Sequence, residues 1–150
     1  MTVPGSTKGI AVPTIDAVAR CTEFAAAQAR EAGFSLSRVH EVELVVEEVV
    51  ANICRYSYSD RIGSVEMICS HGRGPKMVME FIDHGAPYDM LAAPSPDLSG
   101  DLDQRDVGGI GVPMLRALVD HASYRREETR NILSLRIHAA PKLGGRAEEQ

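Results

Sequence analysis

From Ser37 to Ser59 the chain reads SRVHEVELVVEEVVANICRYSYS. Val42, Val45, Val46, Val49 and Ile53 recur there at the three-to-four-residue spacing of one helix face. A helix with such a stripe must bury it against a second layer. Ser37 is the expected N-cap, and Glu41 lies in the first turns, where the macrodipole favours an acid.

The other segments supply that layer. SVEMICS (64–70) and MVMEFID (77–83) alternate apolar and polar residues, which predicts a β-hairpin through HGRGPK. SYRREETRNILSLRIHA (123–139) predicts a second hairpin turning near Glu128–Arg130, and KGIAVP (8–13) a short first strand. Residues 13–33 are rich in alanine and predict a helix with Pro13 just before it. Its expected apolar face is Ile15, Val18, Ala19, Cys21 or Thr22, Ala25 and Ala26, and Gly33 is the expected stop. VPMLRALVD (112–120) predicts a short helix with Pro113 in its first turn. Between the hairpins, residues 84–109 hold three prolines, four glycines and five aspartates, the composition of a long loop. Early helices and strands paired as hairpins indicate an α+β two-layer sandwich.

At 150 residues the chain can build one domain with a real core. A net charge of −5 argues against nonspecific binding to nucleic acid or to an anionic membrane. The three cysteines, Cys21, Cys54 and Cys69, are scattered without a CxxC, which speaks against a disulfide framework or a zinc site. No apolar run resembles a signal peptide or a membrane span, so the expected location is cytoplasmic.

Three features carry chemistry. Glu48 and Asn52 lie one helical turn apart, about 60–100° from the centre of the valine stripe, where a cleft wall would stand. Asn is a poor residue in a helix interior, so its place there asks for a reason. Asp83 ends an apolar strand and Gly85 follows it. A carboxylate there can accept from an exocyclic amine such as that of adenine, and the glycine lets a flat ring approach. Finally, Gly108, Gly109 and Gly111 run into a helix start, where backbone N–H groups and the helix dipole suit phosphate. Taken singly, these would be a solvated helix face, a turn and a hinge.

Together and in this order, EVVAN, DHGAPYD and GGIG resemble the N, G1 and G2 boxes of the gyrase and histidine-kinase type of ATP-binding fold, the Bergerat fold. They are most similar to its small, single-domain branch, the anti-sigma-factor serine/threonine kinases. The resemblance spans roughly residues 8–138. It implies a single histidine-kinase-like ATPase domain over 1–150, with a mixed, mostly antiparallel sheet covered on one face by helices. It also implies an ATP lid at about 86–107 and a frayed tail at about 140–150.

By the same resemblance Glu48 is the general base, and Asn52 ligates Mg²⁺ that bridges the ATP phosphates. Asp83 binds the adenine amine and Gly85 keeps the adenine pocket open. Gly108, Gly109 and Gly111 meet the triphosphate, and Arg105 is a candidate phosphate contact. Two positions depart from the family pattern: Tyr56 stands where a histidine is common, and Asn131 where many relatives carry a threonine. The implied activity is phosphorylation of an anti-sigma-factor antagonist, with sequestration of a sigma factor or related regulator and a homodimeric state. The alternative is a nucleotide-binding partner-switch module without kinase activity.

Overall fold

The computed structural model describes residues 6–59, 61–71, 76–92 and 107–140. Arg105, most of the expected lid and the tail beyond Ala140 lie outside the described residues. The elements are β1 (Ser6–Pro13), α1 (Thr14–Glu31), α2 (Leu36–Asn52), β2 (Ser64–His71), β3 (Lys76–Asp83), α3 (Val107–Leu118), β4 (His121–Glu127) and β5 (Arg130–His138). A π-helical turn, Ile53–Ser57, extends α2, and a single 3-10 turn covers Met90–Ala92.

The five strands form one sheet in the order β1-β2-β3-β5-β4. Every pairing is antiparallel, where the resemblance implied a mixed sheet. The alternation read in the hairpins holds. Val65, Met67, Cys69, Met77, Met79, Phe81, Leu133, Leu135 and Ile137 are buried under the helices, as are Val42, Val45, Val46 and Val49 of α2. The α+β two-layer sandwich is therefore the observed architecture.

Several local expectations change. The N-cap of α2 is Ser35, whose hydroxyl accepts from the Arg38 N–H at 3.2 Å; Ser37 lies inside the first turn. With the helix starting at Leu36, Glu41 falls beyond the first turn, where it pairs with the buried Arg38 at 2.7 Å. The stripe of α1 is rotated from the expected one. Its buried side is Ala17, Cys21, Ala25, Ala26, Gln28 and Ala29, while Ile15 is 77% exposed. Small alanines let α1 lie close on its neighbours, and that outweighs the larger hydrophobicity of Ile15.

The helix expected at 112–120 starts five residues earlier, so Gly108, Gly109 and Gly111 lie within its first two turns. Each glycine in a helix costs about 1 kcal/mol against alanine, which is why the sequence pattern stops short. Close packing at Gly111, described below, accounts for one of them. Pro113 consequently falls in the second turn, where it removes the N–H that would bond the carbonyl of Gly109. Gly33 ends α1 as expected, with φ +91°.

Candidate nucleotide site

α2 places Glu48 and Asn52 on one edge, with Glu48 half-buried and Glu47 exposed. Asn52 is 2% exposed, so it belongs to the interior and not to the core–solvent boundary expected of it. Its position explains the unfavourable residue type. Asn52 is the last residue of the α-helix, and its side chain folds back on the preceding turn. Nδ2 donates at 2.7 Å both to the Glu48 carbonyl and to the Glu48 Oε2. The amide nitrogen is thereby satisfied by α2 itself, and the oxygen is left to face the cleft.

The π turn that follows changes the phase of the chain. Tyr58 N–H bonds the Ile53 carbonyl, five residues back, at 3.2 Å. Such turns recur at functional sites because they redirect side chains. Here the turn meets the end of β3. Ala86 N–H donates to the Ser57 carbonyl at 2.8 Å, and the His84 N–H donates to the Tyr58 hydroxyl at 2.7 Å. The Tyr58 hydroxyl in turn donates to the Ser64 carbonyl at 2.8 Å.

Asp83 is 2% exposed at the last position of β3. Its Oδ1 accepts from Gly85 N–H at 2.9 Å and from Asn131 Nδ2 at 2.8 Å. Among the described residues its Oδ2 has one long contact, from the Ser57 hydroxyl at 3.4 Å. Among the described residues it has no cationic partner. A buried carboxylate held by neutral donors, with one oxygen under-used, has capacity left for a further donor.

Asn131, from β5, gathers this end of the cleft. Beyond Asp83, its Nδ2 donates to the Ala86 carbonyl at 2.8 Å. Its Oδ1 accepts from Tyr124 OH at 2.5 Å and from Tyr88 N–H at 3.2 Å. Burial raises the Tyr124 hydroxyl above its ordinary value, so it stays protonated as the donor.

Gly85 and Gly111 are places of close approach. A Cβ on Gly85 would strike the backbone carbonyl of Ser57, so the bare carbon lets the β3 end pack on the π turn. A Cβ on Gly111 would strike the Glu48 carboxylate, so the first turns of α3 lie directly on that side chain. Gly108 and Gly109 sit in the first turn of α3, whose leading N–H groups have no intrahelical acceptor.

Between these walls lies a cavity of about 20 Å³. Asn52, Asp83, Tyr88 and Asn131 supply its polar lining, with Ile53 and Leu133 among its apolar residues. That volume holds about one water. The donor set suits a magnesium nucleotide. Asn52 offers one hard oxygen, and Mg²⁺ commonly takes one or two protein oxygens while water and phosphate fill the rest. Among the described residues no three His, Cys, Asp or Glu side chains form a cage that would hold a metal by themselves.

Of the expected site residues, Glu48 and Asn52 touch, Asp83 and Gly85 adjoin them through the π turn, and Gly111 lies against Glu48. The roles of Ser57, Tyr88 and Tyr124 were not read from the sequence, because their contacts are long-range and leave no periodic signal. Asn131 was noticed only as a departure from a family pattern.

A family model described as a histidine kinase-like ATPase domain matches residues 11–137. The chain is also similar to the serine/threonine-protein kinase BtrW of Bordetella bronchiseptica. The two are 28% identical over 99 residues, covering 66% of this chain and 70% of that protein. With the two-layer fold and the Glu48–Asn52–Asp83 arrangement in place, the chain belongs to the histidine kinase-like ATPase domain family.

Proposed function

We propose that this protein is an ATP-dependent serine/threonine-protein kinase of the anti-sigma-factor type, acting on a small antagonist protein. The observation that carries the reading is the Asn52 amide, which ties its nitrogen to Glu48 and turns its oxygen toward the cleft that Asp83 closes. The similarity to a serine/threonine-protein kinase supports it.

When bound, Mg²⁺ and ATP supply the transferable phosphoryl group and neutralise its charge. The chain's own residues do the rest. Asp83 Oδ2 accepts the adenine amine, and the apolar walls exclude water from the base. Asn52 Oδ1 takes the metal. The leading N–H groups of α3 at Gly108 and Gly109 face phosphate, and Arg105 adds a cation to it. Glu48 accepts the proton of the attacking serine or threonine hydroxyl.

A second reading has its own observation. The Glu48 carboxylate already accepts from Asn52 and lies under Gly111. A carboxylate so enclosed suits a module in which nucleotide sets the conformation of α3 and a regulator is sequestered without phosphoryl transfer.

One experiment separates the two. The protein is incubated with labelled ATP, Mg²⁺ and candidate antagonist proteins, alongside Glu48→Gln and Asn52→Ala. The kinase reading expects a phosphoserine or phosphothreonine product, reduced about 10²-fold or more in Glu48→Gln, the contribution usual for a general base. Nucleotide-dependent partner binding with no phosphoprotein would transfer the case to the sequestering module.

A further inference from the structure

One residue of the cavity lining, Tyr88, bonds both Asn52 and Asn131. The backbone N–H of Tyr88 is held by Asn131 at 3.2 Å, and its ring stacks on Tyr56 with centroids 4.9 Å apart and planes 27° from parallel. Its hydroxyl donates to Asn52 Oδ1 at 3.4 Å. That oxygen is the one atom Asn52 has left for a ligand, since its nitrogen serves the Glu48 carbonyl and carboxylate.

A hydroxyl proton and a divalent cation both draw on the electron density of that oxygen, so each weakens the other's hold on it. Tyr88 and Met90 line the same cavity as Asp83 and Asn52, so a base that reaches Asp83 comes against both. At 3.4 Å the Tyr88–Asn52 bond is long and therefore easily exchanged.

We propose that Tyr88 is a latch on this site, its hydroxyl competing with the divalent cation for Asn52 Oδ1. The stack on Tyr56 and the Asn131 bond give the ring its closed position. The hydroxyl bond is the part that a metal nucleotide displaces. Metal-dependent affinity is thereby set below what Asn52 alone would provide. The inference rests on the nucleotide-site reading of Asn52 and Asp83, and it adds a regulator of that site.

The test uses the full chain and Tyr88→Phe, which keeps the ring and its stack and removes only the hydroxyl. Binding of ADP is measured by calorimetry with Mg²⁺ and again with EDTA, and thermal melting checks that the variant is folded. The latch expects Mg²⁺-dependent binding to tighten by about threefold in Tyr88→Phe, the low end for one hydrogen bond, as a contact of 3.4 Å implies. It expects the EDTA value to stay within about twofold of the wild type on the same scale. If wild type binds but Tyr88→Phe is unchanged or weaker with Mg²⁺, or tightens equally in both buffers, competition for the metal ligand is overturned and the nucleotide site stands. If the wild type binds no adenine nucleotide under either condition, the site reading falls and the latch falls with it.

Discussion

Asn131 and Asp83 face each other across the β3–β5 ladder, and the Asn131 amide donates to Asp83 Oδ1 at 2.8 Å. The same amide also holds Ala86 and accepts from Tyr88 and Tyr124. One side chain therefore fixes the carboxylate and the chain that leaves it. Replacing it by Leu leaves several buried polar groups without partners. The expected cost is about 3 kcal/mol of folding stability, read by urea denaturation. Asp83→Asn presents an amide to two donors, Gly85 N–H and Asn131 Nδ2. We expect it to lose adenine nucleotide binding by at least about tenfold in calorimetry, as one hydrogen bond to a charged acceptor implies.

Gly85 and Gly111 should respond differently to alanine. At Gly85 the obstacle is the Ser57 backbone carbonyl, which cannot move aside, so Gly85→Ala should cost about 1–3 kcal/mol. At Gly111 the obstacle is a side-chain carboxylate, and alanine gains about 1 kcal/mol of helix propensity. Gly111→Ala should therefore melt near the wild type while displacing Glu48; under the proposed kinase activity, it gives a folded protein with impaired phosphoryl transfer. A Gly111→Ala variant with full activity would show that the Glu48 position is unimportant.

Acid should unfold the junction of α2, α3 and β5. Asp120 Oδ2 accepts from His138 N–H at 2.8 Å and His138 Nδ1 at 3.0 Å, with the buried Arg38 guanidinium 3.8 Å away. Burial pushes the Asp120 carboxyl up, but the bonds from His138 and the charges of His138 and Arg38 outweigh it and hold the carboxyl below its ordinary value. A lowered folded value stabilises the protein above the ordinary carboxyl range, and that stability is lost as pH falls through it. Melting temperature should therefore drop below about pH 4, and Asp120→Asn should flatten that part of the profile. A variant whose acid limb matches the wild type would remove Asp120 from the account.

Thiol reactivity should be graded. Burial pushes Cys21 up to about 11 and Cys69 up to about 12, and it raises the half-buried Cys54. Thiolate is the reactive form, so a thiol reagent at pH 8 should modify Cys54 first and reach the other two only on unfolding. Mass spectrometry of the labelled peptides reads the order.

The sheet and the long helix were legible because periodicity records burial. Met67, Met79 and Val45 fall where alternation and the valine stripe place them. Glu48 and Asn52 were legible because a polar pair at helical spacing beside such a stripe is unusual. The start of α3 was not, since glycine opposes helix and only the close packing of Gly111 on Glu48 explains its use there. The phase of α1 failed for the opposite reason: a large apolar residue, Ile15, points outward, while alanines make the contact. The hub at Asn131 could not be seen, because it joins Ser57, Asp83, Ala86, Tyr88 and Tyr124 from separate parts of the chain.

The strand order has a consequence for how the protein comes into being. β2 with β3 and β4 with β5 are local hairpins, but β3 meets β5 only by joining residues far apart in the chain, the nearest pair, Asp83 and Asn131, being 48 apart. Contacts that close long loops form late, after local pairs are in place. The Asp83–Asn131 end of the cleft sits on that late seam. No fragment holding one hairpin can assemble it, and during synthesis the nascent chain acquires it only after β5 has been made. Nucleotide capture would then certify a finished molecule.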